Sequence, residues 1–164
     1  MQLISWHANP ELKEYFRRYP PVMDWGRADL IVQYLKGAYF IYEDGKAVGL
    51  VQLGHEDPIA KTAEIAMVID TRTCSDRYKA SRIAYTEICN YLFDYLDYAK
   101  AYMKVLTTRS KLKIRLEADG WVVEGTLKQS CRFNNERCDE WLFGLLKTDY
   151  LRFKQTRLKL AGGM

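Results

Sequence analysis

The sequence is short of the patterns that bind metals and of the long apolar runs that cross membranes. Its four cysteines, Cys74, Cys89, Cys131 and Cys138, form no C-x-x-C pair. Its two histidines, His7 and His55, have no ligand spacing, so no zinc site is expected and no metal-binding residue is assigned. The longest apolar runs resemble Ile65–Ile69, far too short for a bilayer. No basic region leads into a long apolar stretch at the start, so no secretory signal is expected. These absences together predict a cytoplasmic protein with reduced, partly buried thiols and no membrane partner. Whether Cys131 and Cys138 face each other across a hairpin is left open by spacing alone. No internal repeat, low-complexity segment or domain linker interrupts the chain.

What is present fits one domain of 164 residues with an ordinary core. Aromatic residues make up 13% of the chain, which argues against disorder outside the Gly-Gly-Met end. A net charge of +4 permits an anionic partner such as a nucleotide without calling for nucleic acid.

Taken in order, Gln2–Trp6 reads as a short strand. Asn9 caps a helix over Pro10–Arg18, which Pro20-Pro21 stops, and Arg27–Lys36 reads as a second helix ended by Gly37. Ala38–Tyr42 and Ala47–Gly54 flank Asp44-Gly45, a strong hairpin signal because glycine takes positive φ freely. After a turn at Asp57-Pro58, Glu64–Asp70 reads as a third strand. A basic loop, Thr71–Ser81, leads into a long amphipathic helix with Ala84, Tyr85, Ile88, Leu92 and Leu96 on one side. Tyr102–Thr107 follows as a strand. Ser110 then caps a helix over Lys111–Ala118, which ends at Asp119-Gly120. Trp121–Phe133 and Cys138–Leu145 form a hairpin around Asn134-Asn135, and Lys147–Leu160 a terminal helix with interleaved basic and apolar residues. Hairpins coexist with strand–helix–strand crossings, so the fold class is α/β: a mixed, mostly antiparallel central sheet flanked by helices.

The stretch from Thr62 to Tyr98 organises the rest. A strand running through a basic loop into a helix N-terminus is a ready place for an anion, because first-turn N–H groups lack helical partners and the dipole favours negative charge. Arg72, Arg77, Lys79 and Arg82 cluster there, and Lys104, Arg109, Lys111, Lys113 and Arg115 form a second basic run. Each run reads either as a solvated basic face or as a set of point charges for phosphates.

From about Ala38 to Tyr150 the element order resembles the GNAT acyltransferase superfamily. Leu116-Glu117-Ala118-Asp119-Gly120-Trp121 followed by Glu124-Gly125-Thr126-Leu127-Lys128 is similar to the branch that acetylates ribosomal-protein N-termini. Asn90–Leu96 and Gly144-Leu145-Leu146-Lys147, with its following acidic residue and Tyr150, are similar to that branch's central helix and last strand. The resemblance implies acetyl-CoA as cofactor and transfer to an amine-bearing protein or small molecule. Met67 and Val68 would then pair through their backbone with the pantetheine arm. Arg77, Tyr78, Lys79, Ala80, Ser81 and Arg82 would wrap the pyrophosphate, with Arg109 where many members carry a cofactor-orienting Asn. That loop is degenerate: Lys79 stands where the first glycine belongs and Asp76 where the cation belongs.

For catalysis the same resemblance points to Glu64 as the base, since the amine must lose a proton. Tyr102 is the candidate acid, with Tyr85 behind it, provided either reaches the thioester sulfur. Glu124 is read as structural. The alternative is a catalytically silent GNAT-fold structural or interaction protein, for example a phage virion component, with homo-oligomer or virion proteins as partners. A third reading is transfer of another acyl or aminoacyl group from a donor other than CoA.

Overall fold

The structure is a computed structural model that describes residues 37–133 and 135–161, with side chains to 156. The readings over Gln2–Trp6, Pro10–Arg18 and Arg27–Lys36, and the residue Asn134, lie outside the described residues. Among the described residues six strands form one sheet in the order β1-β2-β3-β4-β6-β5. They are β1 (Ala38–Glu43), β2 (Lys46–Asp57), β3 (Thr62–Ile69), β4 (Lys100–Leu106), β5 (Val122–Phe133) and β6 (Glu136–Leu146). The helices among the described residues are α1 (Arg77–Asn90), continued by a π-helical turn at Tyr91–Tyr95, α2 (Ser110–Ala118) and α3 (Lys147–Ala161). β3 and β4 pair in parallel, while β1 with β2, β4 with β6 and β5 with β6 are antiparallel, as expected. No helix among the described residues is long and apolar enough to cross a membrane. The described residues divide into two compact units, 37–54 with 66–88 and 55–65 with 89–161.

In the first unit β1 and β2 form the expected hairpin, with Asp44 at φ 49° and Gly45 at φ 76° supplying its left-handed turn. Ala47–Val51 is buried at every position rather than at alternate ones, the mark of a strand covered on both faces. Gly49 is required there. A Cβ on it would lie 2.7 Å from the Val68 carbonyl oxygen, and 3.0 Å from Ile41 Cδ1.

Among the described residues the second unit buries Leu92, Phe93, Met103, Phe143 and Leu145 almost fully. The helix pattern differs from expectation at residue 91. The chain inserts a π turn, with Leu96 N–H donating to Tyr91 O at 3.0 Å. The wider turn brings both Leu92 and Phe93 into the core, whereas uniform α periodicity carries the stripe on to Leu96, which stays half-buried. Phe93 packs its ring 5.2 Å from Tyr150 of α3. Tyr150 Oη and Lys154 Nζ both donate to Asn90 Oδ1, at 2.8 and 2.9 Å, so α3 is bound to the end of α1. The expected Ser110 cap is displaced by one residue. Arg109 sits at the N-cap of α2, makes no side-chain cap, and its carbonyl accepts from Leu112 and Lys113. Glu124 is structural in its contacts: it accepts from Lys100 Nζ at 2.7 Å and lies over Gly144, where a Cβ would collide with its carboxylate.

Asp97, at φ 56°, accepts from Lys147 Nζ at 2.7 Å and from Lys61 Nζ at 2.6 Å. These hydrogen bonds, Lys147's the larger, hold its carboxyl at about 2. A depressed carboxyl stabilises the fold above its unfolded value, and that contribution disappears as pH falls through its folded value. Wild type is therefore expected to be more stable than Asp97→Asn near neutral pH, and the gap to close between about pH 4 and about pH 2. Denaturant midpoints across that range check it; a gap independent of pH contradicts it. Asparagine tolerates the same left-handed backbone, so the comparison isolates charge.

Candidate functional site

β4 alternates strictly. Ala101, Met103 and Val105 are buried, while Tyr102, Lys104 and Leu106 are half-buried on the opposite face. The parallel register sets Glu64 of β3 beside Tyr102. Paired residues share a face, so Glu64, Tyr102 and Lys104 come together. Glu64 is only 3% exposed, and its Oε2 lies 3.5 Å from both Lys104 Nζ and His55 Nε2. His55 stands on β2 at φ 45°, a strained value for a residue with a side chain, and is largely exposed. Burial first, then the Glu64 charge, pushes the Tyr102 phenol up. Tyr102 thus keeps its proton at neutral pH, and beside it stands a buried carboxylate 3.5 Å from a lysine nitrogen and a histidine nitrogen. That arrangement can take one proton and give another.

The structure thus brings Glu64 and Tyr102 together. His55 and Lys104 are the members sequence reasoning missed. Strand alternation alone puts Lys104 on the face of Tyr102. Nothing in the sequence puts His55 beside Glu64, because that depends on the β2–β3 register.

The phosphate loop is built differently from the expectation. α1 begins at Arg77, so Arg77–Ser81 is its first turn and not loop. Asp76 caps it: Oδ1 accepts from Tyr78 N at 3.0 Å and Lys79 N at 3.0 Å, and Asp76 O accepts from Ala80 N at 3.0 Å. An aspartate before an amphipathic run is itself a cap signal, and it locates the true start of the helix. Two more carboxylates hold the loop. Glu43 takes Ser75 N at 2.8 Å and Ser75 Oγ at 2.6 Å, and these bonds, the hydroxyl's first, lower its pKa. Asp70, buried at 2% exposure, takes Arg72 N at 3.1 Å and the Arg72 guanidinium at 3.2 and 3.4 Å. Burial pushes Asp70 up, but the bonds from Arg72 outweigh it and its pKa is lowered. Arg72 is therefore committed to Asp70 and is not a spare cation for phosphate. Arg77, Tyr78, Lys79 and Arg82 are exposed on the first turns of α1. Ala80 and Ser81 are half-buried, with Ser81 Oγ donating to Tyr78 O at 3.0 Å.

Acetyl-CoA fits this chain in part. Asp70 N–H donates to Val48 O at 2.8 Å, so by strand alternation Val68 also turns its backbone groups toward β2. Met67 turns its own toward the opposite edge of β3. The diphosphate cradle does not fit in its usual form, because the N–H groups of Tyr78 and Lys79 already have a carboxylate. Arg109 is half-buried, and burial lowers its pKa. Among the described residues no cluster of three or more metal-ligating side chains occurs.

No protein-family model matches the chain, and no curated protein sequence matches it. Solved structures do. A spermidine N-acetyltransferase from Vibrio cholerae in complex with CoA and spermine superposes with a TM-score of 0.76 at 19% identity, covering 92% of this chain and 91% of that one. A spermidine/spermine N-acetyltransferase from Vibrio cholerae with manganese ions gives 0.68 at 23% identity over 76% of each chain. A dodecameric spermidine N-acetyltransferase from the same organism gives 0.66 at 24% identity over 75% and 74%. The chain has the GNAT fold.

Proposed function

We propose that this protein is an N-acyltransferase that moves an acetyl group from acetyl-CoA to the neutral amine of a small molecule or protein. The observation that carries this reading is the buried Glu64 set beside Tyr102 in a GNAT fold. Bound acetyl-CoA would supply an activated acyl group. Glu64 takes the proton of the incoming amine and passes it outward through His55. Tyr102, kept protonated by burial and by the Glu64 charge, holds a proton to give at its phenolic oxygen. The polyamine enzymes of like fold favour a small polyamine-type acceptor over a ribosomal-protein N-terminus, and a homo-oligomer as the working form. Thiol release from acetyl-CoA, measured with polyamines and with N-terminal peptides, tests the proposal. Absence of turnover with every amine offered defeats it.

Glu43, Asp70 and Asp76 favour a second reading, a GNAT-fold protein that has given up the donor and acts by binding alone. Asp76→Asn separates the two. Asparagine caps a helix as well as aspartate and removes the charge that opposes a diphosphate. Under the first reading the variant binds acetyl-CoA about three- to tenfold more tightly than wild type by titration calorimetry. Under the second neither protein binds it.

A further inference from the structure

Cys131 of β5 and Cys138 of β6 are direct partners in the antiparallel register. Both are thiols and both are half-buried, so they are open to small reagents. Directly opposed residues on antiparallel strands have Cα atoms about 4.5–5.5 Å apart. That lies inside the roughly 4.4–6.8 Å span of a disulfide. Cys131 Sγ already leans across the hairpin, 3.7 Å from the Cys138 carbonyl oxygen.

The hairpin is held in this register from below. β5 bulges between Leu127 and Cys131, with Gln129 at φ 48°. Asp139 takes Gln129 N at 2.8 Å and Lys128 Nζ at 2.8 Å, and Glu140 takes Ser130 Oγ at 2.9 Å. Slippage that separated the cysteines would break all three bonds. The other two thiols differ. Cys74 and Cys89 are buried, and burial pushes Cys89 up to about 12 and Cys74 upward as well.

From this geometry we propose that Cys131 and Cys138 form a reversible redox site, closed to a cross-strand disulfide by low-molecular-weight disulfides such as glutathione disulfide. One thiolate attacks the reagent disulfide, giving a mixed disulfide and one released thiol. The opposing thiolate then attacks the cysteine sulfur of the mixed disulfide. The Cys131–Cys138 bond forms and the second reagent thiol leaves. The two protein thiol protons pass to the released thiolates, so the protein is oxidised by two electrons and the reagent is reduced. Preset register makes the second step intramolecular and fast. The bond would join the edge strand β5 to β6 with both cysteines only half-buried, so an added thiol reopens it.

The test is a peptide map of the native protein after glutathione disulfide, with alkylation and trypsin but no reductant. Cleavage after Lys128, Arg132, Arg137 and Lys147 puts the two cysteines on separate peptides, so a disulfide leaves 129–132 joined to 138–147. The joined pair is expected in at least about tenfold excess over singly glutathionylated peptides. In Cys138→Ser, Cys131 is expected to carry glutathione instead, and Cys131→Ser serves equally if that variant folds poorly. Dithiothreitol should restore both thiols. Separate glutathione adducts on both cysteines of wild type, or two unreacted thiols at the same exposure, overturn the proposal.

Discussion

Glu64→Gln is expected to lower kcat by about 10²–10⁴-fold and to leave the fold intact. Glutamine matches the shape of the buried side chain but cannot take a proton. The substitution also removes the charge that Lys104 Nζ and His55 Nε2 face at 3.5 Å, so stability is read beside the rate. Tyr102→Phe should give a smaller loss, because solvent can protonate a departing thiolate. Measured kcat values for the three proteins with the best amine, alongside thermal midpoints, decide the matter. A Glu64→Gln protein that melts early but turns over at the wild-type rate assigns the carboxylate to structure alone.

Gly49→Ala is expected to destabilise the protein by about 2 kcal/mol, a midpoint drop of roughly 4–8 °C. The new methyl would sit 2.7 Å from the Val68 carbonyl oxygen, which belongs to the backbone and cannot swing away. β3 must therefore move, carrying Met67 with it, so acetyl-CoA affinity should fall together with stability. Gly144→Ala is the control. Its methyl meets the Glu124 carboxylate, the far end of a flexible chain, and the loss is limited to a half-exposed ion pair with Lys100, below about 1 kcal/mol. Thermal scans of both variants check the ranking; equal losses would mean that β3 yields more easily than a packed strand should.

The sequence by itself determined the order and kind of the elements from Ala38 onward. Asp44-Gly45 and Asp119-Gly120 fix turns through local backbone sterics, and strict alternation in β4 or a capped amphipathic run needs no distant partner to be read. The resemblance around Leu116–Lys128 implied the GNAT fold that the solved structures of like shape share. Tertiary structure decided everything that rests on register and on competition for hydrogen bonds. The pairing of β3 with β4 set Glu64 beside Tyr102, and His55 entered from a third strand. Asp70, Glu43 and Asp76 claimed the loop's N–H groups and one of its arginines, so the basic stretch opens as a self-capped helix start. A one-dimensional string gives the charge of each residue, but which acceptor a donor finds first is a matter of distance in three dimensions.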